Sequence, residues 1–308
     1  MALCLKRTES VPKAVRRLAR KRIKKALQAL ECCDEADAVH SVRKDIKQLR
    51  SLLRLIRPRL QKNDYRHQID LLRKAARRLA PLRDAYVKSN ALKNLAVACK
   101  GHISPATLRC FQRPLRNAFI HEVKKFSRKR TVTAVRRRLC RAGEDFKEID
   151  LKGKEWKAIS PGLKESYRRG RRAYKAAKRY SSEERLHAWR KRTKDLWYQI
   201  KLLRRIWPEQ MDAAAHELET LTEHLGDYHD LVLLQQAITD HVARDRSPAG
   251  IEALNHLIQR RQRGAVAAAL KIGSRFYTEK AASFCDRFRG YWQIWRGQRA
   301  AVSSVASE

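Results

Sequence analysis

Along most of this chain apolar residues recur every three to four positions, the spacing that gathers them on one side of an α-helix. In the first such segment Val15, Leu18, Ala26, Leu27 and Leu30 form the inner side of a helix predicted over 10–29, with Pro12 in its first turn, where helices tolerate it. A second helix follows the acidic linker CCDEAD and stops near Arg57, ahead of Pro58. Further helices are predicted over 63–79, 85–100, from Ser104 with a kink at Pro114, over 132–149, after Pro161, from Ser182, and over 209–224, 248–271 and 273–295, with AVSSVASE as a frayed tail. Alternating β-branched runs and hairpin signals are missing, so the fold class is all-α.

The most informative helix carries HSVRKDIKQLRSLLR, residues 40–54. At about 100° per residue, His40, Arg43, Lys44, Lys47, Arg50 and Arg54 share roughly a third of its circumference, while Val42, Ile46, Leu49, Leu53 and Ile56 lie together on another side. The cationic strip is roughly 21 Å long at a rise of ~1.5 Å per residue, which suits an extended polyanion better than one small anion. His187, Arg190, Lys191, Lys194 and Lys201 repeat the spacing of His40, Arg43, Lys44, Lys47 and Arg54, and Leu186, Leu196, Ile200 and Leu203 repeat the apolar set. Trp197 stands where the first copy has Arg50, with Tyr198 beside it; the Tyr198 hydroxyl suits donation to a phosphate oxygen, and the ring pair equally suits packing between halves. A duplicated element suggests a duplicated fold. Residues 150–162, DLKGKEWKAISPG, lose the periodicity and are read as the boundary, giving halves 1–152 and 153–308. LAPLRDAYV at 79–87 is paralleled by LGDYHDLVLL at 225–234, setting Asp84 opposite Asp230 and Arg83 opposite His229; each acid either caps a turn or positions a basic side chain.

Charge sharpens this picture. The 308 residues include 71 Lys and Arg against 32 Asp and Glu, a net charge of +39. Self-repulsion of that size is relieved by a polyanion, and the candidates are nucleic acid, an anionic membrane surface and inorganic polyphosphate. Arg17 and Arg20 on the first helix, and Arg168 and Arg172 one turn apart after Pro161, are outlying candidate anion ligands. The basic segment 124–141 is either a solvated face or a second polyanion surface. Trp189 and Trp207 fall on an apolar face and are expected in the core. Seven cysteines without a Cys-x-x-Cys pair argue against a disulfide framework or structural zinc. No apolar run approaches the ~18 to 20 residues of a membrane span, and MALCLKRTES has no secretion signal, so a cytoplasmic location is expected. His40 and His187 each open a basic strip. Anion binding suits them best, a structural hydrogen bond is the alternative, and metal ligation is disfavoured because Arg and Lys follow at i+3 and i+4. No acidic cluster suited to holding a catalytic metal is evident, so neither an enzyme, a metal nor a cofactor is expected.

The paired motifs His-x-x-Arg-Lys-x-x-Lys-x-Leu-Arg and His-x-x-Arg-Lys-Arg-x-Lys-x-Leu, each followed by a Leu…Asp element, resemble the CHAD family, named for a conserved histidine in an α-helical domain. The resemblance extends from about residue 8 to 297. It implies two pseudo-symmetric helical bundles whose motif helices line a shared basic cavity, binding of inorganic polyphosphate, and association with polyphosphate granules. It assigns as ligands His40, Arg43, Lys47, Arg50 and Arg54 in the first half and His187, Arg190, Lys191, Lys194 and Tyr198 in the second. Trp197 departs from the arginine usual in the family, His229 from an asparagine, and Ala80-Pro81 from a glycine. The triphosphate-tunnel (CYTH) domain attached to many members has no counterpart in this sequence, which lacks Glu-x-Glu-x-Lys. Weak nucleic-acid binding through charge is the rival expectation.

Overall fold

The computed structural model describes residues 4–99, 102–126, 129–242 and 250–297. Among them the chain forms eleven α-helices and no strand. In order these are α1 (Val11–Cys32), α2 (Glu35–Ile56), α3 (Lys62–Arg78), α4 (Ala80–Ala98), α5 (Pro105–Phe126), α6 (Lys129–Lys147), α7 (Glu155–Arg179), α8 (Glu183–Leu202), α9 (Pro208–Val242), α10 (Ile251–Phe276) and α11 (Ala281–Gly297). Short 3-10 turns, Arg57–Arg59 and Arg204–Ile206, follow α2 and α8.

Helix α2 lies at the centre, against α1, α3, α4, α7 and α8. Val42, Ile46, Leu49, Leu53 and Ile56 are fully buried, each removal from water being worth about 1.5–3 kcal/mol, so the predicted apolar side is what fixes the helix in place. Its opposite polar strip is turned toward α8. Ser51 Oγ donates to the Asp195 carbonyl at 2.7 Å and Gln199 Nε2 donates to the Ser51 carbonyl at 3.2 Å, both in buried surroundings, so the two motif helices are joined directly. One apolar core runs through α1–α3, α6–α9 and α11; a second joins α4, α5, α9 and α10 through Leu92, Leu95, Phe111, Leu234, Leu254 and Ile258.

Several boundaries differ from those the pattern predicted. The segment 150–162 is extended only to Lys154; from Glu155 it is already α7, and Pro161 lies inside that helix. Gly162 explains the composition there. A Cβ at this position would stand 1.7 Å from the Leu55 carbonyl oxygen, so α7 crosses α2 backbone to backbone, and only glycine permits it. Helix α4 begins at Ala80 rather than 85, with Pro81 in its first turn. LGDYHDLVLL is the middle of α9, which continues unbroken from Pro208 past the predicted end at 224. Helix α10 continues through Gly273, and the break falls at 277–280. Trp189 is buried, whereas Trp207 is 42% exposed: α8 ends at Leu202, and the 3-10 turn rotates Trp207 off the apolar face to meet Tyr291 edge-on. The predicted helix end at 100, the predicted start at 248 and the tail 301–308 lie outside the described residues.

Candidate functional site

The basic strips of α2 and α8 meet the start of α4 and the middle of α9. On α2, Arg43 Nη1 donates to the Ala76 carbonyl at 2.8 Å, which fixes the guanidinium at the end of α3. Burial pulls Arg43 below its ordinary range, with the Asp84 charge opposing and Arg83 reinforcing. Lys47, one turn on, is pushed down to about 6, first by burial and then by the charges of Lys194, Arg190, Arg43 and Arg83. Arg50 is lowered to about 10 by burial, with Arg54 reinforcing and Asp195 opposing.

On α8, Arg190 is lowered by burial and by Arg83, against the favourable charge of Asp230, and Lys194 falls to about 8, again mainly through burial. Lys191 is exposed, beside Arg50 and Arg54. Asp195 is buried; desolvation raises it, while Arg54, Arg192, Arg50 and Lys191 hold it down. Arg54 Nη1 donates to its carboxylate at 2.6 Å. Arg54, expected as an anion ligand, thus takes part in an ion pair that ties α2 to α8.

Arg83 on α4 is the residue that sequence reasoning passed over as a ligand. Its charge reaches Lys47, Lys194, Arg190, His40, His229 and Asp230, so it lies at the focus of both strips. The signal was its place immediately before Asp84, matching His229 before Asp230. His229 packs against His187 with ring centroids 5.0 Å apart and is driven down to about 4 by burial, Arg190, His187 and Arg83. Gly226 stands one turn before Asp230 on α9, where an added Cβ would come within 3.1 Å of Arg190 Nη2; the glycine lets that guanidinium lie across α9. Asp230 is half-buried and raised by burial, with Arg83 and Arg190 opposing; Asp84 is exposed near Arg43. His40 and His187 are exposed at the rim, both lowered by partial burial and by neighbouring cations.

Within this cluster Arg43 Nε, Arg50 Nε, Arg83 Nη1 and Arg190 Nε are buried donors without a protein acceptor. A buried charged donor left unmatched costs at least ~1–3 kcal/mol, so these donors from α2, α4 and α8 are unusual for groups that serve packing alone. A cleft of about 900 Å³ between α4, α9 and α10 is bordered by Arg83 and Asp230. Another of about 570 Å³ is bordered by Lys44, Tyr198, Lys201 and Arg22. In the latter Trp197 and Tyr198 are buried, with Lys201 Nζ 4.7 Å over the Trp197 ring, and burial raises the Tyr198 hydroxyl well above its ordinary range.

The outlying candidates are not brought into the cluster. Arg17 Nε donates to Glu9 at 2.6 Å and its Nη2 to the Cys4 carbonyl at 3.0 Å; Arg168 Nε donates to Glu165 at 2.7 Å; Arg20 and Arg172 are exposed on α1 and α7. Among the described residues no group of three His, Cys, Asp or Glu is arranged to hold a metal ion, and no helix is long and apolar enough to cross a membrane.

The profile of the CHAD domain family matches residues 13–239. Two solved structures share the fold. The crystal structure of the CHAD domain from the plant Ricinus communis is 17% identical, with a TM-score of 0.54, over 90% of this chain and 94% of that one. PptA from Streptomyces chartreusis is 14% identical, with a TM-score of 0.59, over 85% of this chain and 96% of that one. No curated protein is recognisably similar in sequence. A family profile that spans α1 to α9, both motif helices included, identifies the chain: it belongs to the CHAD domain family.

Proposed function

We propose that this protein binds inorganic polyphosphate, without catalysis, at the basic cluster between α2 and α8. The observation that carries the reading is the set of four buried guanidinium donors without protein acceptors, gathered around lysines whose charge the fold itself suppresses. Phosphoryl oxygens suit such donors because guanidinium binds them with two parallel hydrogen bonds, and a polymer offers them in sequence along the strips. In this reading α2 and α8 are two copies of one element, the halves 1–152 and 153–308 are a duplication, and the cluster is their shared basic cavity.

The ligand set is His40, Arg43, Lys44, Lys47, Arg50, His187, Arg190, Lys191 and Lys194, with Arg83 and His229 added; Asp84 and Asp230 position Arg43 and Arg190. Tyr198 and Lys201 line the adjoining cleft through which a longer chain leaves. Arg54 serves the site by holding Asp195. The family resemblance supplies the polymer's identity and a cytoplasmic setting at polyphosphate granules. Nucleic acid is the weaker reading, because Trp197 and Tyr198 are buried, Trp197 beneath Lys201, rather than open to stacked bases. Hydrolysis is disfavoured because Asp195 is held in an ion pair by Arg54, and Asp84 and Asp230 are single acids with arginines among their neighbouring charges.

Charge reversal tests the site. Arg43→Glu with Arg190→Glu should weaken polyphosphate binding at this cluster roughly a hundredfold or more at fixed salt, whereas reversal of the exposed Arg137 and Arg205 should cost it a few-fold at most. Equal losses would make the binding diffuse and overturn the proposal.

A further inference from the structure

A second cationic concavity lies away from the α2–α8 cluster. Lys74, Arg77 and Arg78 from the end of α3, Lys125 from α5 and Arg138 from α6 line a cleft of about 660 Å³, with Glu122 the one acidic residue among the described lining residues. Pro81 and Leu82 of α4 and the buried Phe126 supply apolar wall. Of the five cations, Lys74 pairs with Asp70 at 2.7 Å, Lys125 reaches Glu122 at 3.4 Å, and Arg138 Nη1 donates to the Ala134 carbonyl of its own helix at 2.8 Å. Among the described residues Arg77 and Arg78 make no ion pair or side-chain hydrogen bond, and both are exposed. On a convex face such residues would be spread apart by repulsion and solvated. Here three helices set them around one hollow, so that a multiply charged anion lying in it would meet several of them at once.

The chemistry of the lining selects the class of anion. None of the described lining residues offers an exposed aromatic ring on which a base could stack, and a hollow this size does not admit a duplex, so a bare phosphoanhydride chain fits better than nucleic acid. The cleft also shares a wall with the central cluster. The α3–α4 corner presents Arg83 and the Ala76 carbonyl, which accepts from Arg43, to the cluster, while Arg77, Arg78 and Leu82 of the same corner line the cleft.

We propose that this α3–α5–α6 cleft is a second polyphosphate site, so that one protein molecule holds two polyphosphate segments, one on each aspect of the α3–α4 corner. The inference rests on the proposed function for the identity of the polymer, and the two sites fail independently. The test is calorimetric titration, at one fixed salt concentration, of a short linear polyphosphate of one defined length into the wild type, into Arg77→Glu/Arg78→Glu and into Arg43→Glu/Arg190→Glu. The wild type should bind two equivalents, and each variant should keep one. Affinity for long chains should fall roughly fivefold or more in the cleft variant, because double engagement is lost. Lys125→Glu, on a different helix, should reproduce the loss and guards against a folding defect in the α3 variant. Wild-type stoichiometry and long-chain affinity in both cleft variants would overturn the second site, whatever the central variant does; unaltered binding in the central variant would count against the central site alone. A cleft variant that loses binding to single-stranded DNA but keeps both polyphosphate equivalents would also overturn it, by reassigning the cleft to nucleic acid.

Discussion

If polyphosphate binds at the α2–α8 cluster as proposed, Lys47 makes that binding a proton-coupled event. Its ammonium, ordinarily near 10.5, is pushed down to about 6 by burial and by Lys194, Arg190, Arg43 and Arg83, so at pH 8 roughly one molecule in a hundred carries that charge. A polyanion reverses both causes, since it brings opposite charge to a group surrounded by like charge. Binding that uses the ammonium must therefore first restore the proton, at a cost of roughly 3 kcal/mol at pH 8 and well under 1 kcal/mol at pH 6. Lys194, at about 8, adds a further factor of roughly two across the same interval. Affinity for long-chain polyphosphate should thus tighten up to about a hundredfold from pH 8 to pH 6, with an uptake of roughly 1.5 protons per site at pH 8. Calorimetry in buffers of differing ionisation enthalpy measures that uptake directly, and long chains keep the titration of their own ends negligible. Lys47→Met should remove most of the proton uptake and flatten the profile. The same shift governs the unliganded fold: the unfolded state binds a proton that the folded state refuses between about pH 6 and 10.5, so this group's contribution to stability rises with pH across that window and is least favourable near pH 6. A flat affinity profile with no proton uptake in the wild type would refute the reasoning.

Other consequences are local. Gly162→Ala places a methyl group against the Leu55 carbonyl and should destabilise the fold by about 1–3 kcal/mol or more in chemical denaturation; a loss under ~0.5 kcal/mol would mean that α7 slides freely on α2. Asp195→Ala leaves Arg54 buried without its partner and should cost ~3–5 kcal/mol, whereas replacing both with apolar residues of similar volume should come close to neutral, a contrast that a thermal unfolding series resolves. Arg83→Ala should weaken polyphosphate binding severalfold more than Arg17→Ala, because Arg17 is held by Glu9; the reverse order in a fluorescence titration would move the site toward α1.

How far the sequence carried depended on whether a signal was periodic or tertiary. The α2 face was legible because Val42, Ile46, Leu49, Leu53 and Ile56 obey one helical period, and all are buried. Pro161-Gly162 looked like punctuation for the same local reason that misleads elsewhere: glycine reads as a break, yet here it answers a carbonyl of α2 that no local pattern reveals. The strips themselves were visible, but the sorting of their members was not. Arg54 and Arg50 look alike on a helical wheel, and only the approach of Asp195 from α8 makes one an ion-pair partner while leaving the other with a buried free donor. Arg83 was hidden because it belongs to neither strip; it enters the cluster through the turn from α3 to α4. Trp207 kept the apolar period beyond the point where α8 stops, and a pattern cannot register that a 3-10 turn has rotated it outward.

The central claim, that the α2–α8 cluster recognises a bare phosphate polymer, is tested most directly by competition. Polyphosphate of defined length is bound to the wild type at controlled ionic strength and challenged with double-stranded DNA at equal phosphate concentration, with the salt dependence recorded for each. The account predicts that DNA leaves most of the polyphosphate bound and that Arg43→Glu/Arg190→Glu loses the part of this retention that the central cluster supplies. Displacement of polyphosphate by an equal phosphate concentration of DNA would contradict it.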